Sequence, residues 1–312
     1  MRGSPVSQVH ELFKVVNRIG TSKHEAKLKA HAEGAATWHQ VGKKLGVYSY
    51  AALDACRDVA RRCLVFAREH HGIRDIEKMT GEAVRDFLLS KVDQGVAIAT
   101  FRQYAAGIEK SETALNLYAE QKGTGLKYDF STGIREARQA AAGLAKFEGS
   151  RAYRDSDRLV GAIGNEKHNL VGLLQSEGGC RFKEASHIKE SQLRGLREDP
   201  HTGEMRGWLQ IRGKGGRIRE IAISPGTYDR LQSAVAGGAL FEVEYHAYLH
   251  DLRGAAAATD QEYEGSHGLR WSWAQNFHRE LQEHGWSYDQ SLSIISERLG
   301  HSRSDISTHY LK

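Results

Sequence analysis

Four short segments in the second half of the chain carry side chains that could bind and attack a phosphate group. They are Gly179-Cys180-Arg181 with Glu184, Lys214 in a glycine-rich stretch, His267-Gly268-Leu269-Arg270, and Leu299-Gly300-His301 followed by Tyr310. The spacing of three between His267 and Arg270 places both side chains on one face of a helix. Because a guanidinium offers paired donors to phosphate oxygens, this pair predicts a phosphate site.

Taken one at a time, these residues are weak signals. An arginine after a helix or a lysine in a turn is usually a solvated charge, and a tyrosine near a chain end is usually an exposed aromatic. For the pair of His267 and Arg270, a phosphate site and the start of a surface helix are about equally good explanations. The order of the whole set along the chain is more informative than any member.

In that order, Arg, Lys, His-x-x-Arg, His and Tyr resemble the active-site signature of the tyrosine recombinase (phage integrase) family. The interval from His301 to Tyr310, with Ser307-Thr308 between them, is also typical of the family. The resemblance covers about residues 156–312, and the first half is similar to the family's core-binding domain in pattern only. Trp271 stands where the family more often has a histidine, and the run before Arg181 also departs from it.

The resemblance implies DNA strand cleavage by Tyr310, with a covalent 3′-phosphotyrosine and a Holliday junction as intermediates. Arg181 and Arg270 would hold the non-bridging phosphate oxygens, where fixed cations stabilise the charge that develops in the transition state. His301 would add a donor to the same oxygens. His267 would take the phenol proton, since an imidazole titrates near neutral pH.

Lys214 and Glu184 complete the implied set. Lys214 would protonate the leaving 5′-oxygen from a β-hairpin that reaches the DNA minor groove, and Glu184 would orient Arg181 or a neighbouring cation. The phosphotyrosine conserves the energy of the broken bond, so the resemblance implies no cofactor. The sequence has no Walker-type loop, no acidic cluster for two magnesium ions and no histidine pattern of a metal site, and we predict no metal.

Apolar periodicity predicts the elements that position these residues. In the first half, residues 23–45 are polar and alanine-rich, which favours helix, and an amphipathic stripe runs from Tyr50 to His70. Thr80 is a predicted N-cap, and Thr100 is predicted to open a further helix that closes near Gly123. The first half is therefore predicted to be an all-α bundle.

The second half mixes helices with a small sheet. A helix is predicted to stop at Gly178-Gly179, the stretches 208–211 and 218–223 predict strands around a turn at 213–216, and helical patterns return after Pro225. We predict a mainly α fold with a small antiparallel β-sheet: a helical core-binding (DNA-binding) domain over residues 1–146 and an α+β catalytic domain over 156–312.

Composition is consistent with a polyanionic partner. The formal net charge is +5 and the pI about 9.0, and we expect double-stranded DNA with inverted half-sites, bound mainly through phosphates. No apolar run approaches the roughly 18 residues of a membrane span, and we expect a cytoplasmic, nucleoid-associated protein. The expected contacts of the helical domain, for which a merely solvated basic face is an equal explanation, are Lys43, Lys44, Arg102 and Gln103.

Strand exchange between two duplexes, each with two half-sites, requires four protomers. We expect a monomer in free solution and a homotetramer assembled on DNA, where neighbouring half-sites raise the effective concentration. Many family members carry a further C-terminal helix that docks on a neighbouring protomer, and because this sequence stops at Lys312 we expect another segment to supply contacts. We expect residues 6–35 to do so, because they carry apolar positions that need burial: Leu12, Phe13, Val15, Val16 and Ile19.

Other readings use the same residues. A type IB topoisomerase or a telomere-resolving enzyme has a similar set, and the small helical first domain favours a recombinase over both. A catalytically silent DNA-binding relative is a further alternative, against which the intact set of six residues argues. A basic helical module without activity is the remaining alternative.

Overall fold

The computed structural model describes residues 1–213, 216–301 and 303–312. The chain divides into two compact units, Met1–Phe147 and Glu148–Lys312. The division falls inside the stretch 143–156, where the sequence loses its helical periodicity and gains Gly, Ser and Arg. Each unit has its own buried apolar core.

The first unit is helical. Its α-helices are α1 (Pro5–Phe13), α2 (Lys23–Ala32), α3 (Trp38–Lys44), α4 (Tyr50–His71), α5 (Gly81–Asp93), α6 (Ile98–Lys122) and α7 (Ser131–Ala140). The predicted stripe forms the buried face of α4, which packs against α6 and α1. Thr80 caps α5 by accepting from Ala83 N at 3.2 Å, as its position before an amphipathic run predicts.

Two details of this unit differ from the sequence prediction. The helical stretch 23–45 is interrupted over residues 33–37, so α2 and α3 are separate helices around a small core of their own. The long helix α6 begins at Ile98 rather than Thr100, and Ile98 N donates to the Ala145 carbonyl at 2.9 Å. Because this tertiary hydrogen bond serves a first-turn amide, the helix starts without a side-chain cap.

The expectation for the N-terminal segment is wrong in its premise. Leu12, Phe13, Val15 and Val16 are buried in the first unit's own core, and Ile19 is partly buried against it. These side chains need no partner chain to cover them. The reason given for an interface at residues 6–35 therefore fails, because the side chains named for it are covered within the unit.

The second unit contains the strands and the remaining helices. In chain order they are α8 (Ser156–Gly161), α9 (Glu166–Gly178), α10 (Phe182–Ala185), β1 (His187–Ile188), β2 (Leu193–Glu198), β3 (Met205–Arg212), β4 (Ile218–Ile223), α11 (Pro225–Val235), β5 (Phe241–Glu242), α12 (Tyr245–Ala258), α13 (Gly265–Glu283) and α14 (Tyr288–Leu299). A 3₁₀ helix, Ser304–Leu311, follows α14. No helix in the described part of the chain is both long and apolar enough to cross a membrane.

Three strands form an antiparallel sheet in the order β2-β3-β4, and β1 pairs with β5 in a second, two-stranded one. The predicted fold class, mainly α with a small antiparallel sheet, is confirmed. The sequence predicted β3 and β4 because their apolar side chains alternate into the core. It missed β2, whose residues are mostly exposed and therefore lack that alternation.

Candidate active site

Five of the six predicted catalytic residues lie together in the second unit. Arg181 follows α9, His267 and Arg270 lie in the first turns of α13, and His301 and Tyr310 lie beyond the end of α14. The sixth, Lys214, lies outside the described residues. Strands β3 and β4 pair on either side of it, and Gly213 N donates to the Arg217 carbonyl at 2.7 Å.

A sharp helix end positions Arg181. Gly179 ends α9 in the left-handed region at φ +62°, and a Cβ there would lie 2.5 Å from the Trp273 ring, so only glycine fits. The chain then turns, and Arg181 becomes the residue before α10. Its side chain is 31% exposed and its Nη1 donates to Glu184 Oε1 at 2.9 Å. Arg181 is thus a partly exposed cation whose guanidinium is held on one side by the Glu184 carboxylate.

Glu184 is a buried carboxylate shared by two arginines. Its Oε2 accepts from Arg181 N at 2.8 Å and from Arg219 Nη2 at 2.7 Å. Burial by itself would raise the pKa of Glu184, but the hydrogen bonds and charges of Arg219 and Arg181 outweigh it and lower the pKa to about 2. Glu184 is therefore ionised at neutral pH and fixes the position of Arg181, as a supporting residue should.

Arg219 is a site residue that the sequence reasoning missed. Its side chain is 5% exposed, pairs with Glu184, and donates from Nε to the Arg298 carbonyl at 2.7 Å. A signal was present: Arg219, Ile221 and Ile223 share one face of β4, and that face is buried. A charge on the apolar face of a strand needs a partner, and Glu184 is that partner.

Arg270 is the most enclosed cation of the site. Its side chain is fully buried, and it donates from Nη1 to the Gly179 carbonyl at 2.5 Å and from Nη2 to the Leu299 carbonyl at 2.7 Å. Burial, followed by repulsion from Arg181, lowers its pKa to about 10, so it stays charged at neutral pH. Its Nε has no hydrogen-bond partner among the residues that the structure describes. Such a donor is suited to an anionic oxygen.

His301 lies against Arg270. Its Nε2 is 3.4 Å from Arg270 Nη2, and its Nδ1 is 2.8 Å from the Ser307 hydroxyl. Ser307 is fully buried and in turn accepts from the Ser296 hydroxyl at 2.7 Å, so α14 and the 3₁₀ helix together orient the imidazole. Burial, then the charges of Arg270 and Arg181, lowers the pKa of His301 to about 4. The ring is neutral at pH 7.

Tyr310 is paired with His267. The Tyr310 hydroxyl lies 3.1 Å from His267 Nε2, within hydrogen-bond distance. Burial, then the charge of Arg270, lowers the pKa of His267 to about 4, so its neutral ring can accept the phenol proton at pH 7. Tyr310 is itself 7% exposed, and its ring contacts Trp271 and lies 5.9 Å from the Arg270 guanidinium. The phenol, a base and a cation therefore meet at one point.

Gln275 fastens the segment that carries Tyr310. Its Nε2 donates to the Tyr310 carbonyl at 3.1 Å and to the Lys312 carbonyl at 2.8 Å. Sequence reasoning missed this residue and gave Ser307 no role beyond its place in the His301–Tyr310 interval, because neither a single amide on a helix nor a serine in a polar run indicates one. Trp271, noted only as a departure from the family, packs on Tyr310.

The structure does not bring the four predicted DNA-binding residues of the first unit into one cluster. Lys44 donates to the Glu33 carboxylate at 3.1 Å, and Lys43 lies 3.9 Å from Glu112, so both lysines already face carboxylates. Arg102 and Gln103 are exposed on α6. All four remain predictions. Among the residues described, no three His, Cys, Asp or Glu side chains group as metal ligands.

A scan of family models and a search of curated proteins found no match to the sequence. Solved structures match nearly the whole chain. The XerH site-specific recombinase bound to palindromic difH substrate, a post-cleavage complex, aligns with a TM-score of 0.63 and 15% identity over 98% of this chain and 90% of that one. The Tn1549 transposon integrase in complex with transposon right end DNA aligns with a TM-score of 0.57 and 10% identity over 94% and 95%.

Both of these proteins are tyrosine recombinases. The chain therefore has the tyrosine recombinase fold, and the resemblance drawn from its motifs is confirmed at the level of the fold. At these identities the roles of individual residues depend on the geometry described above.

Proposed function

We propose that this protein is a site-specific DNA recombinase that cuts a DNA strand with Tyr310 and keeps it as a 3′-phosphotyrosine. The observation that carries the proposal is the 3.1 Å approach of the Tyr310 hydroxyl to the neutral ring of His267, beside the buried charge of Arg270. A nucleophile, a base and a phosphate-binding cation are thereby arranged as phosphoryl transfer requires.

In the proposed reaction, the Tyr310 oxygen bonds to phosphorus and its proton passes to His267. Arg181 and Arg270 neutralise the non-bridging oxygens, and His301 donates to one of them. Glu184 does not touch the phosphate and acts by holding Arg181 and Arg219. The bond from phosphorus to the 5′-oxygen breaks, and a later attack by a 5′-hydroxyl reverses these steps and joins a new strand.

Lys214 is proposed as the acid that gives a proton to the leaving 5′-oxygen. A thiolate leaves without a proton, so Lys214→Ala should fail on ordinary DNA and recover on DNA with a 5′-bridging phosphorothiolate. Absence of recovery would assign Lys214 a binding or electrostatic role instead.

The proposed substrate is duplex DNA with inverted half-sites, bound by four protomers. The palindromic substrate in the XerH complex supports the inverted half-sites. We expect a monomer without DNA and a tetramer on two such duplexes, measured by light scattering. A stable tetramer in the absence of DNA would contradict the proposal that DNA drives the assembly.

Strand exchange separates this function from its alternatives. The Tyr310→Phe variant, which should keep DNA binding, first selects duplexes from a random library. The selected site is then placed in two duplexes whose flanking sequences carry different labels, and both are mixed with the wild-type protein. Hybrid products support a recombinase. Relaxation of supercoiled DNA without hybrids supports a topoisomerase, and binding without either supports a silent DNA-binding protein.

A further inference from the structure

The sheet holds the last turn of α14 from two sides. On one side, Arg298 Nη2 lies 2.7 Å from both carboxylate oxygens of Asp199, which is in the turn between β2 and β3. On the other side, Arg219 of β4 donates from Nε to the Arg298 carbonyl at 2.7 Å. The side chains of Asp199 and Arg298 are 2% and 8% exposed. One residue of α14 is thus fixed through both its side chain and its backbone.

Aromatic rings restrict the Arg298 side chain further. Its guanidinium lies 4.9 Å from the ring centre of Trp208 on β3 and 4.9 Å from that of Phe277 on α13. His201 Nδ1 lies 3.2 Å from Nη2, and the Asp199 carboxylate also accepts from His201 N at 3.0 Å. Because a planar cation between two rings and a carboxylate has little freedom, its position is set by β2, β3 and α13 together.

The residues that follow Arg298 belong to the candidate active site. The Leu299 carbonyl accepts from Arg270 Nη2 at 2.7 Å, Gly300 ends the helix in the left-handed region at φ +72°, and His301 comes next. A shift of the Arg298 backbone therefore moves both an acceptor of Arg270 and the ring of His301. Catalytic groups tolerate little displacement, since a misplacement of about 1 Å can cost roughly 10²-fold in rate.

We propose that Asp199 and Arg298 are a positioning pair for the reaction, an inference that rests on the proposed function. Neither is placed to touch the phosphate, and each acts through the last turn of α14 on Arg270 and His301. A buried ion pair contributes little net stability, because the desolvation of its charges offsets their attraction. The pair instead selects one position for the helix end.

The test compares Asp199→Asn with Asp251→Asn. Asp251 is the control, because its carboxylate pairs with His168 at 2.6 Å between α12 and α9 of the same unit and, among the described residues, has no hydrogen bond or ion pair with the end of α14. Asp199→Asn should lower the single-turnover cleavage rate at saturating DNA by roughly 10- to 100-fold. The DNA Kd should change less than twofold, and Asp251→Asn should leave both unchanged.

A second readout does not depend on catalysis. In the protein without DNA, Asp199→Asn should shift the imidazole NMR signal of His301, whereas Asp251→Asn should not. A wild-type cleavage rate for Asp199→Asn, or a loss confined to DNA affinity, would overturn the positioning role. If the wild-type protein itself cleaves no DNA, the proposed function fails, and an unshifted His301 signal would then overturn the positioning role separately.

Arg298→Lys decides the question if Asp199→Asn does not fold. Lysine keeps the charge beside Asp199 but loses the planar group between Trp208 and Phe277. We expect a folded protein that cleaves several-fold more slowly at saturating DNA, with an unchanged Kd. A wild-type rate for Arg298→Lys would contradict the proposal.

Discussion

The two units bury different kinds of side chain. Among the described residues of the first unit, the charged residue in the core is Glu112, which accepts from Phe130 N at 2.6 Å. Among its described residues, the second unit buries five charged ones, which connect the β2–β3 turn, β4, α10, α13 and α14: Glu184, Asp199, Arg219, Arg270 and Arg298. Removing an ion from water costs several kcal/mol, so such a network indicates a requirement for geometry.

This contrast separates two uses of a protein interior. The first unit satisfies its core with apolar helix faces, which specify shape at low electrostatic cost. The second unit uses part of its interior to fix Arg181, Arg270 and His301 around one place. Substitutions that remove charge should therefore have different consequences in the two units.

The largest effects are expected for Arg181→Ala and Arg270→Ala. Loss of one preorganised donor in other enzymes costs roughly 10²–10³-fold in rate, about 3–4 kcal/mol, and we expect that loss in single-turnover cleavage. DNA affinity should fall much less, because phosphate contacts elsewhere remain. Arg270→Ala should lose at least as much rate and also lower stability, since two buried carbonyls lose their donor. Equal losses of binding and cleavage would make both arginines ordinary DNA anchors.

The next effect compares one substitution in both units. Glu184→Gln leaves the buried Arg219 without its counter-charge and should lower the free energy of unfolding by about 3 kcal/mol. Glu112→Gln keeps an acceptor for Phe130 N and removes an ion pair with the exposed Lys43, so it should cost about 1 kcal/mol. Urea unfolding of the two variants measures the difference, and equal losses would remove the contrast between the units.

A smaller effect concerns pH. The folded protein lowers the pKa of His267 to about 4, whereas an unfolded imidazole titrates near about 6.5. The unfolded state therefore binds a proton first as pH falls, so stability is unaffected above about pH 6.5 and declines between about 6.5 and 4. His267→Gln should make that decline shallower. Urea titrations across this range would contradict the account if the variant keeps the wild-type slope.

The sequence predicted what is encoded locally. The segments containing Arg181, His267 with Arg270, and His301 with Tyr310 are short, and their order led to the fold that the solved recombinase structures confirm. The alternating apolar side chains of β3 and β4 were also sufficient to predict these two strands.

The sequence did not predict what depends on distant partners. Asp199 and Arg298 are 99 positions apart, and neither stands out from the many exposed charges around it. The N-terminal apolar residues were assigned to an interface because no sequence pattern shows that α1 packs on α4 and α6. In each case the missing information is a tertiary contact.

The identity of the attacking residue is the central claim, and a covalent adduct tests it most directly. A nicked duplex of the selected site traps the cleaved strand on the protein, and mass spectrometry of the tryptic peptide 304–312 locates the attachment, since Tyr310 is its only tyrosine. We predict a nucleotide on Tyr310, a free 5′-hydroxyl on the released strand, and no adduct with Tyr310→Phe despite retained DNA binding. Adduct formation by Tyr310→Phe at the wild-type rate, or attachment at another residue, would contradict the account.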